Sequence, residues 1–329
     1  MLEDEAKKLL TSRISVTRQK VIIAKSKILD LAKSTPESDR IIREFLKQVD
    51  AGMPAQVVLH PTVDPVAILH QAADTISWRI AAAEAIWELL HVSLLIPTSP
   101  DYTHTEDHLS WTTVIPGSGG NSGGWSFPEY VLPVPRTLSI PPSQASQPYQ
   151  FLADHDLFLH ELSVSGMHSI VEESLREAVR CLRFDLFTAA AAMLGKASEG
   201  AWLDLAGSLL SAIAPADQAK VLNQRRNLES PVIGISKKID EVIALYQRQD
   251  LYKNVSQTSG VALQDLRTAA VWSDTVRDSR NTMHFGVQPS IPNTYDKVVA
   301  LLMGAVPHLR TIYKLKRAAD AATAAYVQA

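Results

Sequence analysis

The chain has 329 residues, 46% of them hydrophobic and 20% charged, and a formal net charge of −3. This length and hydrophobic content suffice for two domains with cores of their own, and the balanced charge excludes a globally cationic nucleic-acid binder. The single cysteine, Cys181, excludes an intrachain disulfide framework, so a reducing cytoplasm is the expected location.

The first residues, MLEDEAKKLL, are charged and lack the apolar region of a signal peptide, and no uninterrupted apolar run reaches the length of a membrane span. Charge is unevenly placed along the chain. Lys and Arg stand against Asp and Glu as 11 to 8 over residues 1–50, 2 to 8 over 51–150 and 19 to 19 over the rest.

Residues 1–35 read as a basic amphipathic helix. Lys7, Lys8, Arg13, Arg18, Lys20, Lys25 and Lys27 follow one another without an intervening acid, while Leu10, Ile14, Val21 and Ile28 recur at helical spacing. Such a face either packs against the rest of the fold or meets a phosphate or an acidic partner.

Residues 36–140 read as a small α+β module resembling a winged helix. Pro36 to Val49 is helical in pattern, Asp64 and Pro65 open VAILHQAAD, and Ser77 can cap WRIAAAEAIWELLH. VSLLIP, LSWTTVIP and FPEYVLPVP follow as strands, with GSGGNSGG as a mobile loop between the last two. Arg79 and Arg136 are the only strong bases in residues 51–150, so this module is expected to contact protein or act as scaffold rather than bind DNA. PPSQASQPY then marks a linker, residues 141–151.

From residue 152 to 329 the pattern is nearly all helical, which predicts an up-and-down bundle of four or five helices. Two long helices meet near Arg183 to Asp185, Pro215 and Pro231 bracket a connection, and SKKIDEVIALYQRQDLY forms one further helix. VALQDLRTAAVWSDTVRDSRNTMHF follows Gly260 and is expected to stop at Gly286, and the last helix bears Pro307. In VRDSRNTMHFG, Arg280 and Asn281 lie three and four positions after Arg277, and His284 lies seven after it, so an uninterrupted helix would set all four on one face.

This run resembles the HEPN domain, whose signature is an arginine followed after four to six residues by a histidine. Arg277 and His284 enclose six residues here, with Arg280 and Asn281 between them, after a helix of the type FTAAAAMLGKASEGAWL. The similarity covers about residues 152–320. It implies a mainly α protein with a HEPN-like bundle that cleaves RNA without a metal or other cofactor, at a site shared by two protomers of a homodimer, as in HEPN toxins and antiviral defence nucleases. Arg277 and Arg280 would then hold the scissile phosphate, His284 would transfer protons, and Asn281 would orient the ring or donate to phosphate. Tyrosine-dependent control known in some HEPN toxins does not carry over, because Gly286 occupies that position. The same four residues can instead form a structural network with carboxylates such as Glu199, Asp204 or Asp274, or a noncatalytic nucleotide-, RNA- or partner-binding site, with a regulatory protein engaged by the first domain.

Other motifs are weaker. HTEDH at 104–108 lies among loop signals and lacks the acid placement of a zinc protease, and His155 with His160 has no obvious third ligand. Cys181 sits on an apolar helix and reads as core.

Overall fold

The computed structural model describes residues 3–60, 64–104, 107–115, 119–142, 149–284, 286–287 and 291–328. The protein is mainly helical and separates into two compact units, Met1–Gln150 and Phe151–Ala329.

In the first unit, α1 (Glu3–Arg13), α2 (Arg18–Ala32) and α3 (Ser38–Gln48) pack on α4 (Val66–His91). The basic segment is therefore two helices, and part of its charge is answered within the unit. Arg18 Nη2 donates to Glu88 of α4 at 2.9 Å, Lys25 pairs with the same carboxylate while only 1% exposed, and Lys20 reaches Asp74 at 2.6 Å. This geometry favours packing for Arg18, Lys20 and Lys25 over capture of an outside anion.

Helix α4 runs unbroken for 26 residues, so Ser77 is not a cap. It is buried, donates to Ala73 O at 2.7 Å and accepts from Ser15 N at 2.9 Å, which satisfies a serine inside a helix. Asp64 does serve the start of the helix, accepting from Val66 N at 3.1 Å.

The unit's main sheet has the order β1 (Gln56–Leu59), β4 (His108–Ile115), β5 (Gly119–Ser126). β1 runs parallel to β4, which needs a long crossover, and α4 lies within that connection. β4 and β5 form an antiparallel hairpin in which Trp111 faces Gly123 and Leu109 faces Trp125. The glycines expected to form a mobile loop thus include four residues of a strand, at 119, 120, 123 and 124, while 117 and 118 lie outside the described residues. The physical reason is the Trp111 indole: a Cβ on Gly123 would sit 2.6 Å from the ring, so an aromatic blanket covers a residue that contributes no side chain of its own.

Other expected strands shrink to two-residue ladders, β2 (Ile96–Pro97) with β7 (Leu138–Ser139) and β3 (Tyr102–Thr103) with β6 (Val134–Pro135). Proline cannot extend these ladders as a donor, and Pro128–Tyr130 turns as a 3₁₀ helix instead. Most of the linker expected at 141–151, residues 143–148, lies outside the described residues.

The second unit is built around α7 (Phe187–Ser211), against which α6 (Ser169–Arg183), α11 (Leu263–Asn281) and α12 (Tyr295–Gln328) pack. α5 (His155–Leu162), α8 (Leu222–Glu229), α9 (Ile235–Tyr246) and α10 (Gln249–Ser259) complete it, so more helices are present than the four or five expected. α6 gives way to α7 at Phe184–Leu186, where Asp185 takes a left-handed φ of 57°.

Small residues bring the long helices close. A Cβ on Gly200 would lie 2.7 Å from Val171 of α6, and one on Gly304 of α12 would lie 2.8 Å from the Trp272 indole of α11. Glycine inside a helix costs about 1 kcal/mol relative to alanine, which these close approaches offset.

The segment expected as one helix at 236–252 is two, α9 and α10, because Arg248 leaves helical geometry and its guanidinium binds Lys220 O at 3.1 Å and Asp250 at 2.7 Å. The break lets both Tyr246 and Tyr252 bury their rings, with hydroxyls donating to Val261 O at 2.5 Å and Leu209 O at 2.9 Å. α12 continues through Pro307 for 34 residues. By length and composition it is apolar enough to cross a membrane, but half of its most apolar window is buried inside the unit, as in a core helix.

Burial pushes the Glu88 carboxyl up, yet hydrogen bonds from Arg18 and Lys25 outweigh it and hold the group below its ordinary value. The associated stability is present above the usual glutamate range and is lost as pH falls through the depressed folded value. Thermal unfolding followed from about pH 6 to about pH 3 is therefore expected to lose less stability in Glu88→Gln than in the wild type. At neutral pH the variant, which removes the Glu88 charge that Lys25 and Arg18 share, is expected to be less stable by about 1–3 kcal/mol.

Candidate functional site

The last two turns of α11 and the turn that follows carry the candidate residues. A polar seam fixes this helix on α7: Ser198 Oγ and Trp202 Nε1 donate to Ser273 Oγ at 3.0 and 2.8 Å, and Ser273 in turn donates to Ala269 O at 2.9 Å. All three side chains are buried, so the seam is satisfied internally.

Two helical turns further on, Arg280 lies across Gly195 of α7. A Cβ at residue 195 would come within 2.9 Å of the Arg280 Cβ and Cδ, so only glycine leaves room for this path. The guanidinium then reaches Glu199, with Nη1 to Oε1 at 2.5 Å, and donates from Nη2 to Asn281 Oδ1 at 3.2 Å. Among the described residues its Nε is buried without a hydrogen-bond partner. Burial raises the Glu199 pKa above its ordinary value, against the attraction of Arg280 and Arg277.

Arg277 shares the α11 face of Arg280 and Asn281 but is held differently. Its guanidinium lies 3.0 Å from Asp274 and 3.9 Å from Asp278, carboxylates that are 55% and 76% exposed.

His284 does not lie on that helix. α11 ends at Asn281, and Met283 N and His284 N continue as turns onto Arg280 O and Asn281 O at 3.1 and 3.0 Å. The histidine is exposed, and among the described residues no hydrogen bond joins its ring to Arg277, Arg280 or Asn281. The expectation of four side chains on one helical face therefore holds for three of them. Gly286 does take a left-handed φ of 90°, but five residues past the helix end, and Phe285 lies outside the described residues.

The carboxylates named as structural partners divide similarly. Glu199 binds Arg280 and Asp274 binds Arg277, whereas Asp204 faces Lys316 at 3.7 Å.

Sequence spacing alone misses Gly195, whose role depends on a helix 85 positions away in the chain. It also misses Asn293, whose Nδ2 donates to Ser279 O at 3.1 Å and to Thr282 Oγ1 at 2.9 Å.

Elsewhere, Asp154, His155 and Asp156 bring three possible metal-ligand atoms within 4.8 Å of one another. Arg176 pairs with Asp156, and Arg180 Nη2 lies 3.3 Å from His155 Nε2, so guanidinium groups already engage this cluster. Two residues of HTEDH, 105 and 106, lie outside the described residues, while Asp107 is buried and paired with Arg79 at 3.0 Å. Burial and the nearby Glu177 push the Cys181 thiol up, which disfavours a nucleophilic thiolate.

No protein-family model, curated protein or solved structure matches the chain.

Glu199→Leu would leave Arg280 partly buried with its principal partner removed. A loss of roughly 1–3 kcal/mol in unfolding free energy is expected from chemical denaturation. Glu199→Gln keeps an acceptor for the guanidinium, removes the cost of burying an ionised carboxylate, and should lose less. Because the folded pKa is raised, the Glu199 contribution is full below the usual glutamate range and declines as pH rises through the folded value, a slope the Gln variant should lack.

Proposed function

We propose that the protein is a cytoplasmic, metal-independent endoribonuclease with a HEPN-like helical unit, acting as a homodimer in the manner of a toxin or antiviral defence effector. The observation that carries this reading is the combination at the end of α11: an exposed histidine beyond a helix face whose Arg277 is restrained by exposed acids of its own helix. Exposed ion pairs contribute about 0–1 kcal/mol, so an RNA phosphate can displace Asp274 and Asp278 from Arg277 at small cost. Arg280, by contrast, is committed to Glu199 and serves to hold Asn281.

In this mechanism the ribose 2'-oxygen attacks phosphorus as a base removes its proton, the bond from phosphorus to the 5'-oxygen breaks, and an acid protonates the leaving oxygen. The products are a 2',3'-cyclic phosphate and a 5'-hydroxyl. Imidazole titrates near neutrality and suits either proton transfer, but one ring does not readily serve both in one step. Two copies of His284, opposed across a dimer, would supply both, while Arg277 stabilises charge growing on the phosphoryl oxygens.

Residues 36–140 are read as a winged-helix-like module for a regulatory protein partner, with α3 and α4 preceding the β4–β5 hairpin. A second reading, a noncatalytic interaction protein, draws on the Glu199–Arg280 pair, which ties the motif into the α7–α11 contact.

His284→Ala and Arg277→Ala are expected to lower RNA cleavage on the order of 10²- to 10⁴-fold while leaving the fold and the dimer intact. Cleavage should survive a chelator and fail on a substrate lacking the 2'-hydroxyl at the cut site. Wild-type rates in both folded variants would discard the nuclease reading, and a scattering profile of a monomer would discard the shared site. The full chain is also expected to show no salt-sensitive binding to duplex DNA through residues 36–140, since residues 51–150 hold two strong bases against eight acids. Binding that is lost in Arg79→Ala or Arg136→Ala would reverse that assignment.

A further inference from the structure

The peptide that joins α11 to α12 does more than close a gap, because His284 stands on it. Its first residues are pinned by a compact set of bonds at the end of α11. Thr282 Oγ1 donates to Ser279 O at 2.8 Å, and Asn293, from the far side of the connection, donates through Nδ2 to the same carbonyl at 3.1 Å and to Thr282 Oγ1 at 2.9 Å. The carbonyls of a last helical turn have no partner within the helix, so these side chains supply one for Ser279.

Ser279 itself is buried at 1% exposure, and its hydroxyl donates back to Thr275 O at 3.1 Å, which anchors the clasp to the packed part of the helix. Met283 N and His284 N then bond Arg280 O and Asn281 O, the next two carbonyls. His284 is thus the third residue past a helix end whose geometry is closed by a side chain fourteen positions after Ser279. Asn293 Oδ1 is buried with no hydrogen-bond partner among the described residues, so the amide is oriented for its donor at the expense of its acceptor.

We propose that Asn293 is a positioning residue for His284, acting through Thr282 and Ser279 to fix where the imidazole stands relative to Arg277. The inference rests on the ribonuclease reading for its catalytic consequence, but its structural content can be measured without activity. The Asn293 amide holds both ends of the connection, so removing its donor releases the turn that bears His284 while the α7–α11 seam around Ser273 stays closed.

The test uses the full chain and compares wild type with Asn293→Asp, which keeps the shape and removes the N–H donor, with Asn293→Ala and with Thr282→Val. Amide hydrogen exchange at Met283 and His284 should accelerate about tenfold or more in each variant, with Trp272 and Ser273 amides unchanged. The His284 imidazole proton resonances should shift in the same variants. On an RNA substrate, kcat should fall at least about tenfold with KM within about twofold, because a displaced proton-transfer group costs turnover rather than binding.

Retained exchange protection and unshifted imidazole signals in Asn293→Asp would overturn the proposal, as would a loss confined to KM. Should Asn293→Ala fail to fold, Asn293→Asp and Thr282→Val still decide the matter. If wild type cleaves no RNA, the ribonuclease reading fails separately, and exchange with the imidazole shifts alone determine whether Asn293 sets the position of His284.

Discussion

Arg280 can cross α7 only because residue 195 has no side chain. The approach is tight enough that a single methyl group would strike the arginine stem, and the path delivers the guanidinium to Glu199 four residues further along α7. From this contact follow the register of α11 on α7 and the placement of Asn281, whose Oδ1 takes a second bond from the same arginine, while burial raises the Glu199 pKa against the arginine's attraction. Two turns back along α11, Ser273 receives Ser198 and Trp202, so α11 is fixed at two levels by polar groups within an otherwise apolar interface.

The motif therefore contains residues under different physical constraints. Arg280 is committed to a partly buried ion pair in which removal of either member leaves the other charge poorly solvated. Arg277 faces exposed carboxylates on its own helix, where solvent weakens the attraction. His284 is tied by its backbone to the helix end and leaves its ring in solvent. The helix is thus held firmly against α7, its end is clasped by Thr282 and Asn293, and the exposed histidine follows directly after that clasp.

In the first unit, opposite charges meet at a contact between α2 and α4 that holds a lysine only 1% exposed. Lys25 and Arg18 converge on Glu88, and Lys20 is shared between Asp74 and the face of Trp78, 5.1 Å from the ring centroid. The N-terminal cations thus join α2 to α4. The β4–β5 hairpin shows a related compensation, in which tryptophan covers glycine and a segment with little strand propensity pairs along its length.

Local pattern determined much of this protein by itself: the helical character of both units, the turn between α6 and α7, the Asp64 start of α4 and the common face of Arg277, Arg280 and Asn281. Those features depend on neighbours within a few residues, through helical spacing, side-chain caps and backbone preference. The tertiary structure decided which carboxylate each arginine meets, why glycine occupies position 195, how a glycine-rich segment became a strand, and that α11 ends before His284. Each of these turns on an atom contributed from far along the chain, Glu199 to Arg280, Trp111 to Gly123, Asn293 to Ser279. A periodic pattern specifies a face, but the partner that packs on that face, and the point where a long-range bond ends a helix, are set only when distant segments compete for the same space and the same hydrogen bonds.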